Sequence, residues 1–157
     1  MMPYAILRFQ KRKAGGVAAC ERHNERKKEA YKSNPDIDME RSKNNYHLVR
    51  PPRYTYKKEI NRMVAEAGCR TRKDSVMMVE TLITASPEFM NQLPPEEQKA
   101  YFTMALDFIS ERVGEQNILS AVVHICLLYT SRSQQFRVLE TIVFLALFSL
   151  RKVSVDD

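Results

Sequence analysis

Three cysteines, Cys20, Cys69 and Cys126, are all that this 157-residue chain offers for cross-linking. An odd number with no C-x-x-C spacing argues against a secreted disulfide framework and gives no zinc site. The expected compartment is therefore a reducing cytoplasm. A charged-then-apolar secretory leader is lacking, because the opening residues read as a strand that runs into Lys11-Arg12-Lys13. The longest apolar run, Val138 to Leu150, is interrupted by Glu140 and is too short for about 30 Å of hydrocarbon, so no membrane partner is expected. Internal repeats and low-complexity tracts are missing as well. What remains is an ordinary globular mixture, 44% hydrophobic and 28% charged, long enough to bury a core without covalent staples.

The formal charge of +6 says less than its distribution. Residues 11–32 carry eight Lys/Arg against three Glu, and residues 41–73 carry ten against Glu59 and Glu66. Residues 74–119 reverse the balance, with eight acids against Lys99 and Arg112. Such segregation points to one half that meets a polyanion and another that supports it.

Periodicity gives a strand at Tyr4–Gln10, with Ala5, Leu7 and Phe9 facing inward and Gly15-Gly16 ending it. A helix over residues 17–32 follows, and residues 33–53 read as a long loop with Asn34-Pro35, Asn44-Asn45 and Pro51-Pro52 as turn signals. Tyr56, Ile60, Met63, Val64 and Ala67 recur at helical spacing, with Thr55 as N-cap and Gly68 as terminator. Residues 75–84 form a strand, and Ser86-Pro87-Glu88 opens a helical turn. Phe102, Leu106, Ile109 and Val113 mark one face of a helix from Pro95 to Gly114, before an apolar strand at residues 118–125. The order implies an α/β fold of the α+β type, with helices packed on one sheet. The apolar stretch Ile142–Phe148 is expected to be a poorly docked helix.

Four groups of residues carry chemistry. In Arg22-His23-Asn24-Glu25-Arg26 an imidazole flanked by guanidinium groups can face a phosphate as nucleophile, acid or hydrogen-bond donor; a surface histidine on a charged helix is the plainer reading. In Asn44-Asn45-Tyr46-His47-Leu48 the tyrosine can stack on a base or attack a phosphodiester, or simply anchor the loop. Arg70-Thr71-Arg72-Lys73-Asp74 can position a DNA backbone without reading its sequence, or form a solvated turn. His124, at the tip of an apolar strand, can be a metal ligand or a satisfied core residue. Residues 125–157 supply no further histidine, and their acids are Glu140, Asp156 and Asp157.

In order and spacing these segments resemble the Mob/Pre family of plasmid mobilisation and recombination proteins, the MobV-type relaxases. The resemblance runs through Tyr4-Ala5-Ile6-Leu7-Arg8, Lys11 with Lys13-Ala14-Gly15, and His23-Asn24-Glu25-Arg26. It continues through Asn45-Tyr46-His47-Leu48, Arg72-Lys73-Asp74-Ser75-Val76, and Asn117-Ile118 to Val123-His124. It implies a mostly antiparallel sheet flanked by helices, an incomplete histidine-relaxase (HUH-like) domain. It implies an enzyme that nicks one DNA strand at a plasmid transfer origin, bonds to the 5′ phosphate and later rejoins the strand. His23 would be the nucleophile of the H-N-x-R motif, Arg26 a phosphate contact and Tyr46 the rival nucleophile. Lys11, Lys13, Arg22, Asn24, Asn45, Arg70, Arg72 and Lys73 would contact DNA. A Mn²⁺ or Mg²⁺ ion would be held by the pattern H-x-D-E-x-x-P-H-x-H, whose first histidine matches His124.

The pattern stops there. Where acids and two more histidines belong, the chain reads Ile125-Cys126-Leu127-Leu128-Tyr129-Thr130-Ser131. TGT CTC TTA TAC ACA TCT encodes the last six of these residues and looks like a transposon-end adapter from a sequencing library. The expectation is a relaxase portion over residues 1–125, with an unrelated or artefactual tail over 126–157. Such a chain would bind DNA weakly and nick little or not at all. A non-catalytic basic DNA-binding or regulatory module is the alternative.

Overall fold

In the computed structural model, residues 4–27, 40–125 and 141–144 are described. Strand β1 (Ala5–Lys13) pairs antiparallel with β3 (Val76–Ala85), running from Ala5 opposite Ala85 to Lys13 opposite Val76, with an irregularity between Arg12 and Lys13. On its other edge β3 pairs antiparallel with β5 (Thr141–Phe144). A second ladder joins β2 (Tyr46–Val49) antiparallel to β4 (Ala121–Val123), and β5 lies alongside β4. Helix α1 (Ala14–Asn24) leads out of β1, and α2 (Tyr56–Glu66) precedes β3. A single turn, α3 (Pro87–Met90), and the long α4 (Pro95–Val113) separate β3 from β4. The expected α+β architecture of antiparallel strands and packed helices is the one found. Among the described residues no helix is long and apolar enough to cross a membrane.

Two packing regions fix the helices. Val17 and Cys20 of α1 and Tyr56 and Ile60 of α2 close over Met77, Met78 and Leu119. From α4, Ile109 meets Ile83, Ile118 and Ala121, while Phe102 meets Ala85, Met90 and Val123. Ile60, Met78 and Phe102 are essentially inaccessible, each worth about 1.5–3 kcal/mol of burial. Thr55 caps α2 as expected, its Oγ1 accepting from the Lys58 amide at 3.3 Å.

Both α1 and α2 end in the same way. Past α2 the amide of Cys69 donates to Val64 O and that of Gly68 to Ala65 O, with Gly68 at φ +61°. Past α1 the amide of Lys27 donates to Arg22 O and that of Arg26 to His23 O, with Arg26 at φ +49°. This is the Schellman closure, whose left-handed residue is usually glycine. Arginine occupies that place beside the H-N-x-R histidine.

Several local expectations are corrected. Ala5, Leu7 and Phe9 are exposed, Leu7 by 45% and Phe9 by 62%, because β1 is an edge strand and the described helices pack over β3. Gly15-Gly16 lie inside the first turn of α1, where amides have no intrahelical partner and glycine is tolerated. The helix is thus shifted toward the N-terminus, and its expected portion beyond Lys27 lies outside the described residues. The expected loop over 33–53 contains a 3₁₀ turn at Arg41–Asn44 and strand β2, because Tyr46, Leu48 and Val49 find apolar partners that the surrounding turn signals do not reveal. β4 is shorter than expected, the β2–β4 ladder covering Ala121–Val123 alone. At residues 141–144 the structure has a strand where a helix was expected, since β-branched Thr141, Ile142 and Val143 suit the open edge of β3.

Candidate functional site

The register of the short ladder builds the site. Tyr46 lies opposite Val123, so the preceding Asn45 faces the residue after Val123, His124. Asn45 Oδ1 accepts the Ile125 amide at 2.8 Å, which orients the carboxamide so that Nδ2 donates to His124 Nδ1 at 3.1 Å. Accepting at Nδ1 assigns the proton of the neutral ring to Nε2. That Nε2 atom is buried without a hydrogen-bond partner among the described residues.

His23, on the last turn of α1, meets His124 with ring centroids 6.5 Å apart and planes inclined at 65°. Burial first, then the cationic neighbourhood of Arg26, His23 and His47, lowers the His124 pKa to about 2. Both effects favour the neutral ring of His124. Arg22 is exposed, and the Arg26 guanidinium folds back so that Nη1 donates to His23 O at 2.6 Å. The helix end thus presents a half-buried imidazole with guanidinium groups on either side in sequence.

Glu25 lies within the Arg22–Arg26 motif, where the sequence alone assigns it no role of its own. Its carboxylate, only 7% exposed, accepts from Tyr56 Oη, from Ser120 Oγ at 3.1 Å, and pairs with His47 Nε2 at 2.8 Å. Glu21, one turn earlier, accepts the Tyr56 amide at 2.9 Å and pairs with Lys27. Together the two acids tie the end of α1 to β2, to the residue before β4 and to the start of α2. Only the tertiary fold brings those partners together; the signal available in sequence was two acids on the inner face of an otherwise basic helix. Burial, then donation to Glu25, pushes the Tyr56 phenol well above its ordinary range.

The other expected site residues divide. Asn24 is 1% exposed and its Nδ2 lies 3.1 Å from Cys20 Sγ, so the expected DNA contact is corrected to an inward-facing group on the same helix side as Val17 and Cys20. Asn45 serves the His124 clamp. Tyr46 is half-buried against the Ala85, Met90, Phe102 and Val123 cluster. Lys11 and Lys13 are exposed on β1, while Arg12 between them pairs with Glu80. Arg70, Arg72 and Lys73 are exposed in the connection that enters β3 at Val76, the residue opposite Lys13. These cations gather at the end of β1 from which α1 departs.

The described residues do not themselves fit a divalent ion. No three of their His, Cys, Asp or Glu side chains converge, and all three histidines of the chain, His23, His47 and His124, are described.

The fold defines the class of protein: it is that of a relaxase domain. It matches a Mn-bound crystal structure of the MobM relaxase domain (MOBV; Mob_Pre) with plasmid pMV158 oriT DNA of 22 nucleotides and a 3′ thiophosphate. The TM-score is 0.81 at 31% identity, covering 98% of this chain and 77% of that one. A second Mn-bound MobM structure with 22-nucleotide oriT DNA matches with a TM-score of 0.78 at 30% identity and the same coverage. The chain belongs to the Mob_Pre family, plasmid recombination enzyme, whose profile matches residues 1–125. A plasmid recombination enzyme of Bacillus thuringiensis is 41% identical over 125 residues, 79% of this chain and 28% of that protein. A type 2 enzyme of Staphylococcus aureus strain Mu50 is 39% identical over 126 residues, 78% of this chain and 30% of that protein. The chain therefore spans under a third of the length of these relatives.

Proposed function

We propose that this chain is the DNA-binding portion of a plasmid mobilisation relaxase, with His23 as the nucleophile toward a phosphodiester at a transfer origin. The observation that carries this reading is the meeting of His23 and His124 across 6.5 Å, between a helix end and a strand tip far apart in sequence. Arg22 and Arg26 would hold the phosphate oxygens. The His23 ring nitrogen would attack phosphorus, the bond to the 3′ oxygen would break, and reversal of that exchange would rejoin the strand. Tyr46 is the weaker candidate nucleophile because its ring is half-buried against apolar side chains. Lys11, Lys13, Arg70, Arg72 and Lys73 would contact the DNA backbone on the sheet end they share.

MobM carries Mn in its crystal structures. A Mn²⁺ or Mg²⁺ ion in this protein would need oxygen ligands beside an imidazole, and residues 125–157 add no histidine. The cleavage step is accordingly proposed to be crippled in this chain while DNA binding persists, which is also where a non-catalytic DNA-binding module would stand. Residues 126–157 are proposed to be unrelated in origin to the relaxase, although Thr141–Phe144 pair with β3. Resequencing the source gene checks this, an open frame continuing through the same tail being the contrary result. Free thiols at Cys20 and Cys69 accord with a cytoplasmic location.

The functional test is nicking of supercoiled plasmid carrying a cognate origin, with Mn²⁺, by this chain and by His23→Ala. Retarded DNA with background nicking from both proteins is expected. Efficient nicking abolished by His23→Ala would overturn the proposal of a crippled site, and absence of DNA binding would overturn the function itself.

A further inference from the structure

A cavity of about 330 Å³ opens beside the site, between the end of α1 and the Pro51–Thr55 segment that leads into α2. Its composition is layered. Glu21 and Glu25 contribute carboxylates with side chains 6% and 7% exposed, whereas Lys27, Arg53 and Lys58 are exposed. Tyr54, 60% exposed, also lines the cavity, with Lys58 Nζ 5.1 Å from its ring centroid. An exposed ring is poorly explained by packing, since it leaves a large apolar surface in water.

We infer that this cavity is a nucleotide subsite of the DNA path, taking one unstacked base against Tyr54 with its phosphate among the rim cations. Phosphate is excluded from the interior by the two carboxylates and attracted to the rim by Arg53 and Lys58, while Lys27 is already paired with Glu21. A base has the opposite character: its flat face stacks on the tyrosine ring, and its edge can reach the carboxylates. Glu25 Oε1 already accepts from both Tyr56 and Ser120, but Glu25 Oε2 and the two Glu21 oxygens each make one such contact and keep a second lone pair, so the interior accepts hydrogen bonds. An amino-bearing base such as cytosine can donate there, whereas thymine has no amino group to offer. Glu25 adjoins Arg26 in sequence and pairs with His47, so the subsite would lie directly beside the His23 cleft. The inference rests on the proposed DNA binding but is separable from it.

The test measures fluorescence anisotropy of short labelled oligo(dC) and oligo(dT) with this chain, Tyr54→Ala and Tyr54→Phe, at low salt. The chain and Tyr54→Phe are expected to bind oligo(dC) more tightly than oligo(dT). Tyr54→Ala is expected to weaken oligo(dC) binding about fivefold to a hundredfold, the range for loss of one stacked base, and to narrow the gap between the two strands. Far-UV circular dichroism should be unchanged, the ring being largely exposed. If the chain binds both strands but Tyr54→Ala binds them equally well, or Tyr54→Phe fails as badly as Tyr54→Ala, the subsite is refuted while DNA binding stands. If no strand binds the unaltered chain, both readings fall.

Discussion

Arg26 and Gly68 occupy the same place in two helix ends, and exchanging their side-chain character gives opposite signs of stability change. At φ +49° an L-residue with a Cβ carries about 1–2 kcal/mol of strain that glycine escapes. Glycine loses more chain entropy on folding, about 0.5–1 kcal/mol relative to alanine. Arg26→Gly should therefore be more stable than Arg26→Ala by about 0.5–1 kcal/mol, the reverse of their order inside a helix. Both variants lose the guanidinium bond to His23 O, so that contact cancels from the difference. At Gly68 an added Cβ would meet nothing within 4 Å, leaving the backbone as the direct cost of Gly68→Ala, about the same 0.5–1 kcal/mol lost. In a chain of this size that corresponds to about 1–4 °C in Tm, to be measured by thermal melts and urea midpoints on one preparation. Arg26→Ala equal to or above Arg26→Gly in stability would refute the assignment of strain to this residue. Backbone strain beside a reactive side chain is a common feature of functional sites, where the residue is retained for what it contacts.

Other outcomes follow from buried groups. Burial, then the neighbouring Glu80 carboxylate, pushes the Cys20 thiol up to about 12, so iodoacetamide at pH 8 should modify Cys69 and spare Cys20 in peptide-mapped mass spectra. Rapid Cys20 labelling in native buffer would contradict its burial. Since unfolding returns that thiol to about 9, its contribution to stability is full below pH 9 and declines as pH rises toward 12. A denaturant series across that interval should show the decline, and Cys20→Ala should flatten it. Asn45→Ala removes both partners of its carboxamide, the Ile125 amide and His124 Nδ1, and should cost about 2–3 kcal/mol in urea unfolding. A loss below about 0.5 kcal/mol would remove Asn45 as the clamp.

Sequence periodicity sufficed where one element decides its own form. Thr55 and Gly68 bracket α2 because a cap and a left-handed terminator are local devices, and the apolar spacing of α4 emerges in buried Phe102 and Ile109. It failed where the partner decides. Leu7 and Phe9 alternate as core residues do, yet an edge strand leaves them exposed. β2 was hidden among asparagines and prolines, because its stability comes from pairing with β4 across seventy residues of sequence. In the candidate site, the motifs pointed to His23 and His124, but the Asn45 clamp is a consequence of register, and Glu25 acts through partners in β2, α2 and the residue before β4.

In the proposed function a guanidinium-framed imidazole would grip a DNA phosphate, and the salt dependence of single-strand binding tests that grip most directly. Anisotropy titrations of an origin oligonucleotide across a salt series give the slope of log K against log salt, to which each phosphate contact contributes about −0.7. Arg22→Ala combined with Arg26→Ala should weaken binding and make the slope shallower by about 1.4. An unchanged affinity and slope in that double variant would contradict the account.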